Sequence, residues 1–403
     1  MAKIAIIGTV GIPACYGGFE TLAHKLVDEL DTTHQISVYC SGKQYVKGNR
    51  PSHFKNTRLF YIPLKANGIQ SIPYDMLSIL HALFYADILL ILGVSGALLL
   101  PFIKLFTKKK IIISIDGLEW KRDKWSTPIK MFLKFCEKLA VRFSHADITD
   151  NAAIQAYTAS EYQTTSHLIE YGADHASPQP ITEQIIQEYP FLQSPYYFKV
   201  CRIEPENNLD MVLEAFAEMK ELSLVIIGNW KHSAYAQNLY AKYTQFENIH
   251  LLNPIYEQKK LDAIRSNAYA YIHGHSAGGT NPSLVEAMFL RLPIFCFGVS
   301  YNRATTENKA LYFETKENLI QLVKSTNRKQ LEALRTDMKE IAQRRYLWTL
   351  ISKRYVNLIE LLAIKPSKES IEPKWNALPA PLLNKLHAPH LKQSLRFFEN
   401  TNA

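Results

Sequence analysis

The chain has 403 residues and a net charge of +9, and 47% of its residues are hydrophobic and 21% charged. This length favours two domains, and the globular composition excludes a disordered or fibrous protein. The cysteines are scattered and form no C-x-x-C pair, which argues against a disulfide framework or zinc knuckle and for a reducing compartment; they are Cys15, Cys40, Cys136, Cys201 and Cys296.

The first half of the chain alternates strand and helix patterns. Short apolar runs predict strands at KIAIIG, QISVYC, RLFYIP, ADILLILG, KIIISIDG, ADITDN and SHLIEYG. Because the sequence runs directly into the first of these strands, we expect no secretory signal. Apolar residues recur at helical spacing from Phe19 to Leu30 and predict an amphipathic first helix. Continuous apolar strands that alternate with helices are typical of a doubly wound α/β domain with a parallel sheet.

One apolar stretch, Ile88 to Phe106, is long enough to suggest a membrane span. Gly93, Gly96 and Pro101 interrupt it, so we interpret it as a buried strand, a turn and an apolar helix that ends before three lysines. A second interpretation is a helix that touches a membrane from one side, because an apolar face with a lysine rim suits an interface.

The second half restarts the same alternation after a segment with four prolines, Pro178 to Pro195, which predicts a linker. Strands are predicted at YYFKVCRI, LSLVIIG, NIHLLN, AYAYIHG and PIFCFG, with helices between them. We therefore predict a first Rossmann-like domain at 1–180, a second at 195–345, a C-terminal helix at 346–364 that packs back toward the first domain, and a basic Pro-containing tail at 365–403. From residue 341 onward ten Lys or Arg face four Asp or Glu, which suggests an anionic partner or a solvated end.

Polar loops at the carboxyl ends of strands are where such sheets bind ligands. The opening loop contains Gly8, Gly11, Gly17 and Gly18 between a strand and a helix. Glycine lets a ligand approach the backbone, and a helix start offers N–H groups to a phosphate. The loop is neither a G-x-G-x-x-G turn nor a Walker loop. It binds a phosphate, or it is a glycine-rich loop without a ligand.

A second polar loop, SIDGLEWKRDKW, follows the fifth strand. It combines Asp116, Glu119, Trp120 and Arg122, and such side chains suit a sugar ring and a phosphate. A salt-bridged surface loop is the alternative.

Two more loops lie in the second half. A strand that ends at His273 leads through Gly279, Thr280 and Asn281 to a helix predicted from Pro282. The histidines lack a third ligand at suitable spacing, so no metal site is predicted. In CRIEPENN, Arg202 can fork onto phosphate oxygens or pair with a neighbouring glutamate.

Together these segments resemble the two-domain GT-B glycosyltransferases, in particular the retaining family 4 group. That family carries E-G-F-G-x-x-x-x-E-A, and GGTNPSLVEA stands in its place here. The resemblance implies that Glu286 binds the ribose of a nucleotide. Gly278 stands where the family has the glutamate that contacts the donor sugar. The family's R-x-x-P-E-K appears as RIEPEN, in which Asn207 replaces the diphosphate-binding lysine.

Four segments, IIGTVGIPACYGGFET, IDGLEWKRDKW, ITDNAAI and HGHSAGGTNPSLVEAM, further resemble the bacterial rhamnosyltransferase subgroup, although Val10 replaces an arginine of its first motif. The resemblance implies an α/β fold of two doubly wound Rossmann-like domains facing a central cleft. It implies dTDP-L-rhamnose as donor and a lipid-linked saccharide of surface polysaccharide biosynthesis as acceptor. The expected location is the cytoplasm, with a peripheral position on the inner face of the bacterial membrane as a further candidate.

Departure of the diphosphate develops negative charge, whose stabilisation should dominate catalysis. The predicted catalytic residues are Asp116, Arg202 and Glu286. The predicted donor-binding residues are Gly17, Gly18, Arg202, Gly279, Thr280, Asn281, Ser283, Leu284 and Glu286. The predicted acceptor-binding residues are Glu119, Trp120 and Arg122.

We expect no cofactor, no metal and no nucleic-acid partner. The alternatives are a transferase that uses another UDP or GDP sugar, a sugar-nucleotide 2-epimerase, a phosphorylase with a pyridoxal cofactor, and a membrane-associated scaffold that binds nucleotide without turnover.

Overall fold

The structure is a computed structural model, which describes residues 2–14, 17–45, 47–115, 117–122, 125–164 and 166–364. The chain divides into two compact units. Unit 1 contains the chain up to Tyr171 together with the part from Trp348 onward, and unit 2 is Gly172–Leu347. The predicted tail at 365–403 lies outside the described residues.

Strands and helices alternate through most of the described chain. The strands are β1 Lys3–Ile7, β2 Gln35–Ser41, β3 His53–Phe54, β4 Thr57–Ile62, β5 Ile88–Leu92, β6 Lys110–Ile115, β7 Ala146–Thr149, β8 His167–Leu168, β9 Tyr196–Val200, β10 Ser223–Ile227, β11 Ile249–Leu252, β12 Ala270–His273, β13 Ile294–Phe297 and β14 Leu311–Phe313. The helices are α1 Gly18–Leu30, α2 Ser71–Ala82, α3 Leu100–Phe106, α4 Thr127–Phe143, α5 Ala152–Tyr162, α6 Glu183–Glu188, α7 Leu209–Glu218, α8 Ala234–Tyr243, α9 Gln258–Ser266, α10 Pro282–Phe289, α11 Ser300–Thr305, α12 Lys316–Ser325, α13 Arg328–Arg345 and α14 Trp348–Ile364.

Unit 1 is built on an eight-stranded sheet in the order β3-β4-β2-β1-β5-β6-β7-β8, in which only the short β3 runs antiparallel to its neighbour. Its strands are apolar on both faces because helices cover both sides. One face packs against α1 and α14, with Leu26 and Ile351 in its core. The other face packs against α2, α3 and α4, with Ile79, Ile103 and Ala140 in its core.

Unit 2 is built on a six-stranded sheet in the order β11-β10-β9-β12-β13-β14, with every pair parallel. Strand order reverses between β9 and β12 here, and between β1 and β5 in unit 1. Ligands of open parallel sheets bind at the carboxyl ends of strands where the order reverses. The motif loops after β1, β9 and β12 therefore all begin at such a position.

The prediction of two doubly wound α/β domains is confirmed. Every predicted strand is present, and the stretch from Ile88 to Phe106 is a strand, a turn and a short helix as predicted. The sequence missed β3 and β14, which are only two and three residues long. Among the described residues, no helix is long and apolar enough to cross a bilayer.

The linker predicted at Pro178 to Pro195 is wrong as a description of this segment. It contains α6 and a 3-10 turn at Pro190–Gln193, and Leu192 is buried in the core of unit 2. Thr182 caps α6 by accepting a hydrogen bond from the backbone N–H of Ile185. The prolines flank the short helix and do not interrupt it, which is why composition alone suggested a linker.

Candidate functional site

The loops after β9 and β12 are joined to each other in unit 2. The backbone N–H of Ser276 donates to the carbonyl of Glu206 at 2.8 Å, and Asn208 Nδ2 donates to the carbonyl of Gly274 at 2.8 Å. A Cβ at Gly274 would lie 2.4 Å from the Asn207 carbonyl, so only glycine permits this close approach. The two loops thus form one hydrogen-bonded surface at the carboxyl edge of the second sheet.

Asn207 has a structural role in this surface. Its side chain is buried and donates from Nδ2 to the carbonyl of Arg202 at 2.5 Å. The amide of Asn207 therefore holds the shape of this loop from within and carries no charge. Arg202 is half-exposed, and its Nη1 lies 3.8 Å from Glu204 Oε1. Such a long, solvent-exposed ion pair contributes little, and the guanidinium remains able to bind an anion.

Glu286 is the most strongly organised carboxylate of the site. Its Oε1 lies 2.8 Å from His175 Nε2, and its Oε2 accepts a hydrogen bond from Arg265. Burial by itself would raise the pKa of Glu286, but Arg265 and His175 outweigh burial and hold it at about 2. The carboxylate is therefore ionised at neutral pH. A carboxylate oxygen has two lone-pair directions, so Glu286 can still accept from a ligand hydroxyl.

Arg265 is itself fixed from behind. It lies on α9 with 2% of its surface exposed, and Asp262 accepts from its Nε at 2.7 Å. Burial by itself would lower the pKa of the Arg265 guanidinium, but the carboxylates of Glu286 and Asp262 raise it. Asp262, Arg265 and Glu286 thus form a chain of buried ion pairs that holds the Glu286 carboxylate in one orientation.

The start of α10 is capped by its own side chains. Asn281 Oδ1 accepts from the backbone N–H of Ser283 at 3.0 Å and from its hydroxyl at 2.7 Å, and Tyr271 donates to Ser283 Oγ at 2.9 Å. The N–H of Leu284 bonds to the Asn281 carbonyl. The N–H groups that the sequence suggested for an anion are thus engaged locally at these two positions. Leu284 is fully buried, so only its backbone faces the loop.

The tip of the loop before α10, at Gly278, is not crowded by other atoms. Gly278 has φ +126°, and a Cβ built there would contact nothing within 4 Å. Gly279 is half-buried and Thr280 is buried. The position that carries a glutamate in the resembled family is therefore open space here.

The glycine loop of unit 1 is explained largely by the protein's own packing. A Cβ at Gly8 would lie 2.0 Å from the Leu92 carbonyl, and one at Gly17 would lie 2.1 Å from Glu20 Oε2. Glu20 Oε1 accepts from the backbone N–H of Val10 at 2.6 Å and from the Thr9 hydroxyl at 3.1 Å. An internal carboxylate thus occupies the start of α1, where we considered a phosphate. Gly18 is the first residue of that helix.

The acceptor residues predicted in unit 1 are also engaged internally. Glu119 forms an ion pair with Arg122 at 2.8 Å and accepts from Trp125 at 3.1 Å. Trp120 donates to the buried Glu137 at 3.1 Å, and Lys134 Nζ lies 4.3 Å from its ring centroid. This geometry is that of the salt-bridged loop we considered as the alternative. Asp116 lies outside the described residues.

Sequence reasoning missed His175 and Arg265. His175 follows β8 in an irregular segment, and Arg265 lies on the buried face of an ordinary amphipathic helix. A buried-face arginine in the sequence KKLDAIRS was the one available signal, since such a charge needs a partner. No group of His, Cys, Asp and Glu among the described residues could hold a metal ion.

Two parallel-sheet units of this kind in one chain define the GT-B fold. Residues 181–345, which lie within unit 2, match the family described as glycosyl transferases group 1. Residues 1–174 match a domain of unknown function, DUF1972. A curated Xenopus tropicalis protein, glycosyltransferase 1 domain-containing protein 1, is 23% identical over 171 residues. The match covers 40% of this chain and 49%, about half, of that relative.

Solved structures of similar fold cover about nine-tenths of the chain. Sucrose-phosphate synthase from Thermosynechococcus elongatus has a TM-score of 0.73 at 14% identity, with 90% of this chain and 100% of that chain covered. Anabaena HepE in complex with UDP-glucose has a TM-score of 0.67 at 10% identity, with 89% of this chain and 100% of that chain covered. α,α-Trehalose 6-phosphate synthase from Burkholderia multivorans has a TM-score of 0.67 at 14% identity, with 90% of this chain and 97% of that chain covered. These likenesses establish the GT-B fold.

Proposed function

We propose that the chain is a glycosyltransferase that moves a sugar from a nucleotide-sugar donor to a saccharide acceptor. The observation that carries the proposal is the glycosyl transferases group 1 match at 181–345, because those residues form the joined loops and include Glu286 with its buried partner Arg265. A similar fold crystallised with UDP-glucose supports a nucleotide sugar as the donor class.

In this proposal the donor lies along the carboxyl edge of the second sheet. Glu286, ionised and aimed by Arg265, accepts hydrogen bonds from the nucleotide ribose. Arg202 stabilises the charge that develops on the departing diphosphate. The diphosphate lies against the loop and first turn of α10, and its oxygens can replace the local acceptors of the hydrogen bonds there. The residues that line it are Gly279, Thr280, Asn281, Ser283 and the backbone of Leu284.

The finer proposal concerns the sugar and the acceptor. We propose retention of anomeric configuration, dTDP-L-rhamnose as donor and a lipid-linked saccharide of a bacterial surface polysaccharide as acceptor, on the strength of the motif resemblance. The open position at Gly278 supports a donor sugar that is not held by a carboxylate there. The reaction needs no cofactor and no metal. On the motif resemblance, Gly17 and Gly18 are proposed donor-binding residues, Asp116 a proposed catalytic residue, and Glu119, Trp120 and Arg122 proposed acceptor-binding residues. The last three would exchange their internal partners for the acceptor.

The test is a panel of nucleotide sugars with dTDP-L-rhamnose, UDP-glucose and GDP-mannose, each measured by thermal shift and by slow hydrolysis in the absence of acceptor. One donor should raise the unfolding temperature and release its nucleoside diphosphate. Binding to none of them contradicts the proposal. Conversion to an epimeric sugar nucleotide without release would favour the epimerase alternative.

A further inference from the structure

One helix that covers the first sheet, α3, is apolar on its exposed side as well as on its buried side. On α3, Phe102, Leu105 and Phe106 are 62%, 71% and 80% exposed, although Leu100 and Ile103 of the same helix are buried. Spacings of three and four residues place the exposed three on one side of the helix. A surface helix ordinarily turns a polar side to water, so α3 is built to contact something else.

The neighbouring helices continue this surface. Phe84, just after α2, is 83% exposed, and on α4 Met131 and Phe135 are 70% and 50% exposed. All three helices pack on the same face of the sheet, and α3 contacts α4 directly. We name the surface formed by Phe84, Phe102, Leu105, Phe106, Met131 and Phe135 the apolar face. Contiguous exposed patches of this kind mark interaction sites in soluble folds.

The charges around the apolar face are of one sign. On α4, Lys138 and Arg142 continue the stripe of Met131 and Phe135 at helical spacing, and both are exposed. The acidic residues of α2 and α4 are buried, with Asp75 at 3% and Glu137 at 1% exposure. The three helices present no acidic side chain to solvent.

Acidic groups near the rim belong to other elements and are paired. Asp87, at the start of β5, lies 3.6 Å from Lys109, and Glu161 of α5 lies 3.0 Å from Lys134. The exposed charged side chains of α4 beside the apolar face are Lys138 and Arg142, and such cations suit an anionic surface.

We propose that the apolar face is a docking surface for an anionic lipid bilayer. Aromatic and aliphatic side chains would enter the boundary between headgroups and acyl chains, while the lysine and arginine stripe binds lipid phosphates. The helices lie flat on the sheet and none spans a bilayer, so the attachment is peripheral and reversible. The inference extends the proposed function, since it presents unit 1 to the membrane that would carry a lipid-linked acceptor.

The experiment measures flotation of the full chain with vesicles of phosphatidylcholine alone or mixed with phosphatidylglycerol, without donor or acceptor. The wild type should float with the anionic vesicles, and less so as salt screens the phosphates. The triple variant Phe102→Ser, Leu105→Ser, Phe106→Ser should bind about tenfold more weakly, because its apolar insertion is lost. Because all three substituted positions are exposed, the triple variant should keep the unfolding temperature of the wild type.

Two matched controls separate this surface from general stickiness. Tyr240→Ser with Tyr256→Ser removes exposed aromatics of unit 2 and should leave flotation unchanged. Lys138→Gln and Arg142→Gln together should abolish the preference for anionic vesicles, whereas Lys324→Gln and Lys329→Gln in unit 2 should not.

Equal flotation of the wild type and the serine variant overturns the proposal, as does a folded wild type that binds no vesicle. A wild type that self-associates, becomes monomeric in the serine variant and never binds lipid also overturns it, because the face would then join two copies of the chain. Donor binding in the thermal-shift assay is independent of these outcomes, so failure of the proposed function is recognised separately.

Discussion

Glu286 is a proposed nucleotide-binding residue and also part of the scaffold of unit 2. Its contacts with His175 and Arg265 fix the carboxylate in place and keep it ionised. Removing it leaves the Arg265 guanidinium with Asp262 alone, so an alanine variant tests folding and binding together. A glutamine keeps the shape and removes the charge.

We expect Glu286→Gln to weaken nucleotide binding by about tenfold or more, since a hydrogen bond to a charged group is worth roughly 1.5–3 kcal/mol. Calorimetric titration with the donor nucleotide checks this, and Glu317→Gln on the exposed surface of α12 is the control. Unchanged affinity in Glu286→Gln would remove the role proposed for this residue.

The same titration on Arg202→Ala, together with a measurement of turnover, tests whether stabilisation of the departing diphosphate depends on the Arg202 guanidinium.

The low pKa of Glu286 also predicts an acid response. The folded pKa of about 2 lies below the ordinary value of 4.5. The unfolded chain therefore binds more protons between these values, and the stability contributed by the ionised carboxylate is present above about pH 4.5 and lost as pH falls toward 2. Urea unfolding from pH 6 to pH 3 should show a smaller loss of stability in Glu286→Gln than in the wild type. An equal loss would mean that other carboxylates account for the acid response.

Lys199 is a buried lysine at the same edge of the second sheet. It is fully buried in β9, its Nζ has no hydrogen-bond partner among the described residues, and burial lowers its pKa. The unfolded chain binds more protons at this position, so its destabilising effect falls as pH rises from neutral toward 10.5. Burying an amino group without a hydrogen-bond partner costs stability whether or not it is protonated.

We expect Lys199→Met to raise the free energy of unfolding by about 1–3 kcal/mol at neutral pH, with a smaller gain at pH 10. Denaturant unfolding at the two pH values measures this, and Lys259→Met on the surface is the control. A destabilised Lys199→Met would show that the amino group has a partner in solution.

At the scale of elements, periodicity predicted most strands and the first helix because buried runs and apolar stripes are written in adjacent residues. It could not predict β3, β14 or α6, whose few residues gain their structure from neighbours in the fold. The loops of the candidate site do follow strands, as predicted. Their geometry was not, because Asn281 capping Ser283 and Glu20 filling the start of α1 are contacts that a glycine-rich pattern does not reveal.

The start of α1 provides a test at this scale. Gly17→Ala would bring a Cβ to about 2 Å from Glu20 Oε2 at a residue with φ +110°, so the variant should lose about 1–3 kcal/mol of stability. Gly48→Ala is the control, because a Cβ there would contact nothing within 4 Å. Thermal unfolding measures both, and a harmless Gly17→Ala would mean that Glu20 can leave its contacts with Val10 and Thr9.

At the scale of the whole molecule, unit 1 is assembled from both ends of the chain. Ile351 of α14 is fully buried in the same core as Leu26 of α1, and Arg354 binds Glu170 at 3.2 Å. Met338 of α13 is fully buried in the core of unit 2.

We expect Ile351→Ala to cost about 2–5 kcal/mol and to speed hydrogen exchange in β1 and β2, leaving β9 and β12 protected. Met338→Ala should show the reverse pattern. Peptide-resolved mass spectrometry reads both, and an effect of Ile351→Ala spread evenly over the two sheets would contradict the division into units.

The late position of α14 has a consequence for biosynthesis. A ribosome makes the strands of the first sheet early, but the helix that completes one of its two cores emerges only after Leu347 has been added. The nascent first unit must therefore wait, with an uncovered apolar groove, while the second folds as a continuous segment. Holdase chaperones would be expected to bind that waiting intermediate, and a stop codon near position 347 should yield a chain that precipitates.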